Sequence, residues 1–110
     1  MPKKTENLQG ALDLLILKTL AVRGALHGYG IALHVESVSD DILRMEEGSL
    51  YPALHRLEQD GWIGSHWRTS DSNRRAKFYA ITPVGSQQLE VQERNWRLVV
   101  GAIQRVLATA

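Results

Sequence analysis

Apolar residues recur at helical spacing in four stretches of this chain and alternate with polar ones in two short runs. Residues 10–23, GALDLLILKTLAVR, carry Leu12, Leu14, Leu15, Ile16, Leu17, Leu20 and Val22. At the helical period these positions cover nearly the whole circumference, so this first predicted helix needs cover on every side. Gly24 suits the residue just past its end, and residues 1–8 read as a polar lead. A second helix is predicted within 27–40, where Ile31, Val35 and Val38 recur with Ala32 and Leu33 alongside. The next residues, DILRMEEG, read as a loop with room for a stub of strand over 42–46. EGSLYPALHRLEQDGW then predicts a third helix over about 47–60, stopped at Asp60-Gly61. WIGSHWR (62–68) and AKFYAIT (76–82) are short, aromatic-rich strands around TSDSNRR, which is turn chemistry. Thr82 as N-cap and Pro83 at the first helical position open a last helix reaching about residue 107. Gly85 and Gly101 would each weaken it by about 1 kcal/mol relative to alanine. The chain is predicted to be mainly α with one β-hairpin.

The third helix has two unlike sides. Leu50, Ala53, Leu54 and Leu57 fall together, while Ser49, Pro52, Arg56 and Gln59 fall nearly opposite, with Tyr51 and His55 on a flank. Proline is tolerated in a first helical turn, which places the start at Gly48 or Ser49 and makes Ser49 the expected N-cap. The outward face then offers free amides, a hydroxyl and a rigid ring. Helix N-termini bind phosphate, and an α-helix fits the major groove. Arg56 could fork onto a guanine edge, His55 could reach a base or phosphate, and Tyr51 and Pro52 could contact a thymine methyl. A solvated face that touches nothing is the plain alternative. The hairpin changes the balance. Arg68, Arg74, Arg75 and Lys77 cluster there against Asp71, the densest basic group in the chain. Three helices followed by a basic hairpin make a winged helix-turn-helix, predicted over residues 8–82. Glu46, Glu47, Glu58 and Asp60 flank the third helix and would repel phosphate. Glu46 and Glu47 could favour its dipole instead, and Glu58 is expected to point away or to pair with Arg56 or another basic residue.

A small domain has little material to cover a first helix that is apolar all round, so a second copy of the chain is expected against Leu12, Leu15 and Ile16. A central core helix of a monomer is the competing reading. In the last helix Leu89, Trp96 and Ile103 recur every seven residues, with Gln92, Val99 and Val106 between them. That seam resembles a short coiled coil. Residues 83–108 are therefore expected to be a dimerisation helix, with Leu89, Trp96, Val99, Ile103 and Val106 at the interface. A dimer would set two recognition helices about 34 Å apart. Trp96 has two readings: a large interface residue, or an aromatic platform for a small hydrophobic effector.

Composition narrows the classes. The chain has 110 residues, 44% of them hydrophobic, which fits one domain. Charged residues make up 23% with a net charge of +1, so only local clusters can point to a partner. The absence of cysteine excludes disulfides and cysteine-based zinc sites. No secretory signal or membrane span is expected, which suggests a soluble, cytoplasmic protein. No HExxH spacing, phosphate loop or nucleophile elbow is present, so no enzyme activity, metal or cofactor is expected. A winged helix that binds protein without reading DNA stays open.

HGYGIALHVE, EEGSLYPALHRLEQDGWI and NRRAKFYAITPVG resemble the PadR family of transcriptional regulators, over roughly residues 8–90. The single helix after the hairpin is similar to the compact branch of that family. The resemblance implies a homodimeric repressor on double-stranded DNA at a pseudo-palindromic operator, released in many members by a small molecule. It also implies that Tyr29, Ser49, Tyr51, Pro52, His55 and Arg56 lie near DNA in the helix-turn-helix, with Arg74, Arg75 and Lys77 in the wing. His27 and Gly28 then shape the turn into the second helix.

Overall fold

The computed structural model describes the backbone of residues 2–69 and 71–110, and side chains from Gly10 onward in that range. Its order is α1 (Pro2–Arg23), β1 (Leu26–His27), α2 (Gly28–Val38), α3 (Glu47–Gln59), β2 (Ile63–Thr69), β3 (Arg75–Ile81) and α4 (Pro83–Leu107). The antiparallel sheet runs β1-β3-β2, with Leu26 opposite Tyr79, and Ile63 through Thr69 opposite Ile81 through Arg75. This is a mainly helical winged-helix fold with a long C-terminal helix.

Most elements follow their local signals. Gly24 takes φ +80° and ends α1, its N–H donating to Leu20 O at 2.9 Å. Thr82 caps α4, accepting from Gly85 N at 3.0 Å. Three expectations need correction. Helix α1 begins at Pro2, eight residues before its apolar pattern starts, because proline suits a first helical position even where no apolar period marks it. The third strand is β1 at 26–27; residues 42–46 form no strand. Helix α3 begins at Glu47 rather than at Gly48 or Ser49, and its N-cap is Glu46 rather than Ser49. The carbonyl of Glu46 accepts from Ser49 N at 3.0 Å and Leu50 N at 2.9 Å, and no side chain caps the end. Pro52 thus sits in the second turn, where it offers Gly48 O no N–H, and both residues are exposed. Ser70, part of the predicted turn TSDSNRR, lies outside the described residues.

The core joins Ile16, Leu17 and Leu20 of α1 to Ile31 and Val35 of α2, Leu50, Leu54 and Leu57 of α3, Ile63, Tyr79 and Leu89. The all-round cover of α1 comes partly from its own chain. Ile16 is 0% exposed and Leu89 8% exposed in the single chain, so neither is available to a partner, contrary to the expectation for the interface. Leu12 and Leu15 are half-buried, while Lys18 and Val22 are exposed. Helix α4 crosses α1, with Lys18 Nζ 3.8 Å from Glu93, and then runs on with Trp96, Val99, Ile103 and Val106 exposed. A groove of about 410 Å³ lies between Gly10 and Leu14 of α1 and Trp96, Val99 and Ile103 of α4. The extents, 57 × 29 × 27 Å, reflect that protruding helix. No helix among the described residues is long and apolar enough to cross a membrane.

Candidate DNA-binding surface

Helix α3 is fastened on both flanks. On the α1 side, Arg56 forks onto Asp13: Nη1 donates to Oδ2 and Nη2 to Oδ1, both at 2.9 Å. Hydrogen bonding to Asp13 raises Arg56 above its ordinary pKa, against the opposing effect of burial. Each terminal nitrogen gives one N–H to Asp13, so a fork onto a guanine through the Nη1–Nη2 edge would require this pair to open. On the opposite flank, Glu58 accepts from the hydroxyl of Ser65 and from Lys77 Nζ at 3.1 Å. The Ser65 hydrogen bond, and then Lys77, hold the Glu58 carboxyl below the usual carboxylate range. Glu58 therefore pairs with a basic residue of β3. Lys77 in turn is less available to a phosphate than the wing pattern suggests, and its Nζ also stands 5.6 Å from the Tyr79 ring centre.

Between these flanks Ser49, Tyr51, Pro52, His55 and Gln59 remain exposed. Tyr51 leans onto the start of α2. A Cβ on Gly28 would lie 2.8 Å from Tyr51 Cε1 and Oη, so any larger residue there would push the phenol off this seat. His27 caps α2 through Nδ1, which accepts from Gly30 N at 3.0 Å. That acceptor role requires the proton on the other nitrogen. Its ring stacks on Tyr29 at 6.3 Å and meets Phe78 edge-on at 5.2 Å. Tyr29 itself is 65% exposed.

The wing divides its cations between two faces, since successive strand residues point oppositely. Arg68 covers Phe78, with its guanidinium carbon 3.9 Å from the ring centre. Arg75 stands 5.6 Å from the centre of Trp67 on the other face. At the tip, Asn73 takes φ +62° and turns the chain into Arg74 and Arg75, both exposed. A cleft of about 380 Å³ opens where the wing meets the helices, and it brings Tyr29 and Tyr51 together with Arg74, Arg75 and Lys77. Phenolic hydroxyls and guanidinium groups around one cleft are suited to hold phosphate oxygens. Ser49, Pro52 and His55 lie on α3 and do not line it. Glu46 and Glu47 are exposed at the start of α3. Asp13 shapes the site from α1, and its sequence signal is no more than a carboxylate set among Leu12, Leu14 and Leu15.

The PadR-like model of transcriptional regulators matches residues 16–91. A transcriptional regulator from Clostridium thermocellum is similar in structure, with a TM-score of 0.80 and 29% identity over 91% of this chain and 96% of that one. A PadR family regulator from Clostridium difficile R20291 gives a TM-score of 0.71 and 27% identity, covering 88% and 98%. The Mycobacterium tuberculosis transcriptional regulator Rv3488 is 43% identical over 51 residues, 46% of this chain and 47% of that one. The family is one of regulators rather than enzymes. On the matched residues and the shared winged-helix architecture, the chain belongs to the PadR-like family of transcriptional regulators.

Proposed function

We propose that this protein is a homodimeric repressor that reads a pseudo-palindromic operator in double-stranded DNA. Residues 8–82 form the DNA-binding unit, with α3 in the major groove and the β2–β3 wing along the neighbouring backbone. Ser49, Tyr51, Pro52 and His55 face the bases. Tyr29, Arg74 and Arg75 hold phosphates, with Lys77 shared between Glu58 and the backbone. The cleft that gathers Tyr29, Tyr51, Arg74 and Arg75 carries this reading. Duplexes selected from a random pool test it. A dimer that neutralises about six to ten phosphates should lose on the order of 10³–10⁵ in affinity between 50 and 200 mM salt. Exposed Glu46 and Glu47 favour the rival, a protein-interaction module, which would show no such slope.

Helix α4, over 83–108, is the dimerisation element, through Trp96, Val99, Ile103 and Val106, with half-buried Leu12 and Leu15 beside them. Replacing Val99 and Ile103 together by aspartate is expected to give a monomer in sedimentation and to weaken operator binding by about 100-fold or more, since each half-site would bind alone. A folded variant that stayed dimeric would move the interface elsewhere. A small hydrophobic or aromatic effector in the groove beside Trp96 would release the operator, with quenching of tryptophan emission on titration as its readout. Such a regulator works in the cytoplasm.

A further inference from the structure

We propose that Asp13 is a positioning residue for DNA recognition: its two-point bond to Arg56 fixes the roll of α3, and Arg56 itself stays off the bases. The proposal rests on α3 being the reading helix. A planar fork onto a carboxylate sets orientation as well as distance, which a lysine could not do. The Asp13 side chain is 14% exposed, so the carboxylate is largely withdrawn from water and committed to its partner. Glu58 fastens the opposite flank of α3 to Ser65 and Lys77. The buried stripe of Leu50, Ala53, Leu54 and Leu57 sets which face of α3 meets the core, and a charged attachment on one flank alone would leave small rolls about that seat unopposed on the other. Two charged attachments on opposite sides trim that residual roll and aim the strip of Ser49, Pro52 and His55. Asp13 also lies between Gly10 and Leu14, which wall the groove beneath Trp96. Whatever displaces that turn of α1 displaces the carboxylate that orients α3.

The test uses the full chain, a duplex selected by the parent from a random pool, and a scrambled duplex of equal length. Asp13→Asn and Arg56→Asp are each expected to lose about tenfold or more in affinity for the selected duplex, with about threefold change or less on the scrambled one. The charge exchange, Asp13→Arg with Arg56→Asp, is expected to recover affinity to within about threefold of the parent, because the orienting pair is restored. An exchange variant as weak as Arg56→Asp alone would mean that Arg56 touches DNA itself, and would overturn the proposal. Unchanged selectivity in Asp13→Asn would overturn it too. Should the single variants unfold, Asp13→Glu keeps the charge but displaces the fork while leaving Arg56 itself unaltered. Lost selectivity at an unchanged melting temperature supports positioning, and retained selectivity refutes it. A parent that binds no duplex in a salt-dependent way would instead defeat the DNA-binding reading, and this inference with it.

Discussion

A Gly85→Ala variant is expected to lose about 3 kcal/mol or more of folding stability, read as a lowered urea midpoint. Helix propensity alone predicts the opposite, a gain of about 1 kcal/mol for alanine inside α4. Geometry decides. A Cβ on Gly85 would lie 1.9 Å from Trp62 O, 2.9 Å from Trp62 C and 2.9 Å from Ile81 Cγ1. The carbonyl cannot step aside cheaply. Trp62 O accepts from Thr82 N at 3.0 Å and lies 3.0 Å from the Thr82 hydroxyl, while Trp62 N donates to Leu57 O at 3.0 Å. The end of α3, the start of β2 and the entry to α4 thus meet at the backbone of one residue, Trp62, with Gly85 N held to Thr82 Oγ1 beside it. A methyl group there must pry α4 from the sheet. Gly101 is the control: its added Cβ would meet only Arg105 Nη1, at 3.6 Å, so alanine there is expected to be neutral or stabilising. Equal stability of Gly85→Ala and the parent would show that α4 does not approach Trp62 this closely.

That junction also shows which information a sequence pattern carries. Thr82, Pro83 and the Asp60-Gly61 stop are local signals, and they located the ends of α3 and α4 closely. Gly85 looked like a weakness of the helix, because the carbonyl it makes room for lies in another element. The same limit applies to β1. Two residues show no alternation, and Leu26 and His27 become a strand only through Tyr79 and Phe78 opposite them. Periodicity identified Ile16 and Leu89 as apolar but could not say which neighbour covers them, and their own chain does. Pro52 misled for a related reason. A proline favours a first helical turn, yet an exposed second turn also tolerates it, and Gly48 and Pro52 both lie at the surface. The basic wing and the aromatic start of α2 were legible as candidates for a site. The partner of Arg56, 43 positions away, was not, and neither was the division of the wing cations between two faces of the sheet.

The last of these divisions makes the sharpest forecast for the wing. Replacing Arg74 and Arg75 together by alanine is expected to weaken binding to selected and scrambled duplexes alike, because phosphate contacts carry no sequence information. Each lost contact should flatten the dependence of log affinity on log salt by about 0.9, so two per subunit in a dimer give a slope shallower by about 3 to 4. Both side chains are exposed, and the melting temperature should hardly move. Lys77→Ala is expected to behave differently. Lys77 is bonded to Glu58 at 3.1 Å, so its loss should free an acid on the flank of α3 and should lower melting temperature along with affinity. Arg68→Ala should leave the salt slope nearly intact, since its guanidinium lies over Phe78 on the opposite face from Arg75. A slope unchanged in the Arg74/Arg75 variant but flattened in Arg68→Ala would turn the wing over, with its Phe78 face toward the backbone and the tyrosine cleft away from it.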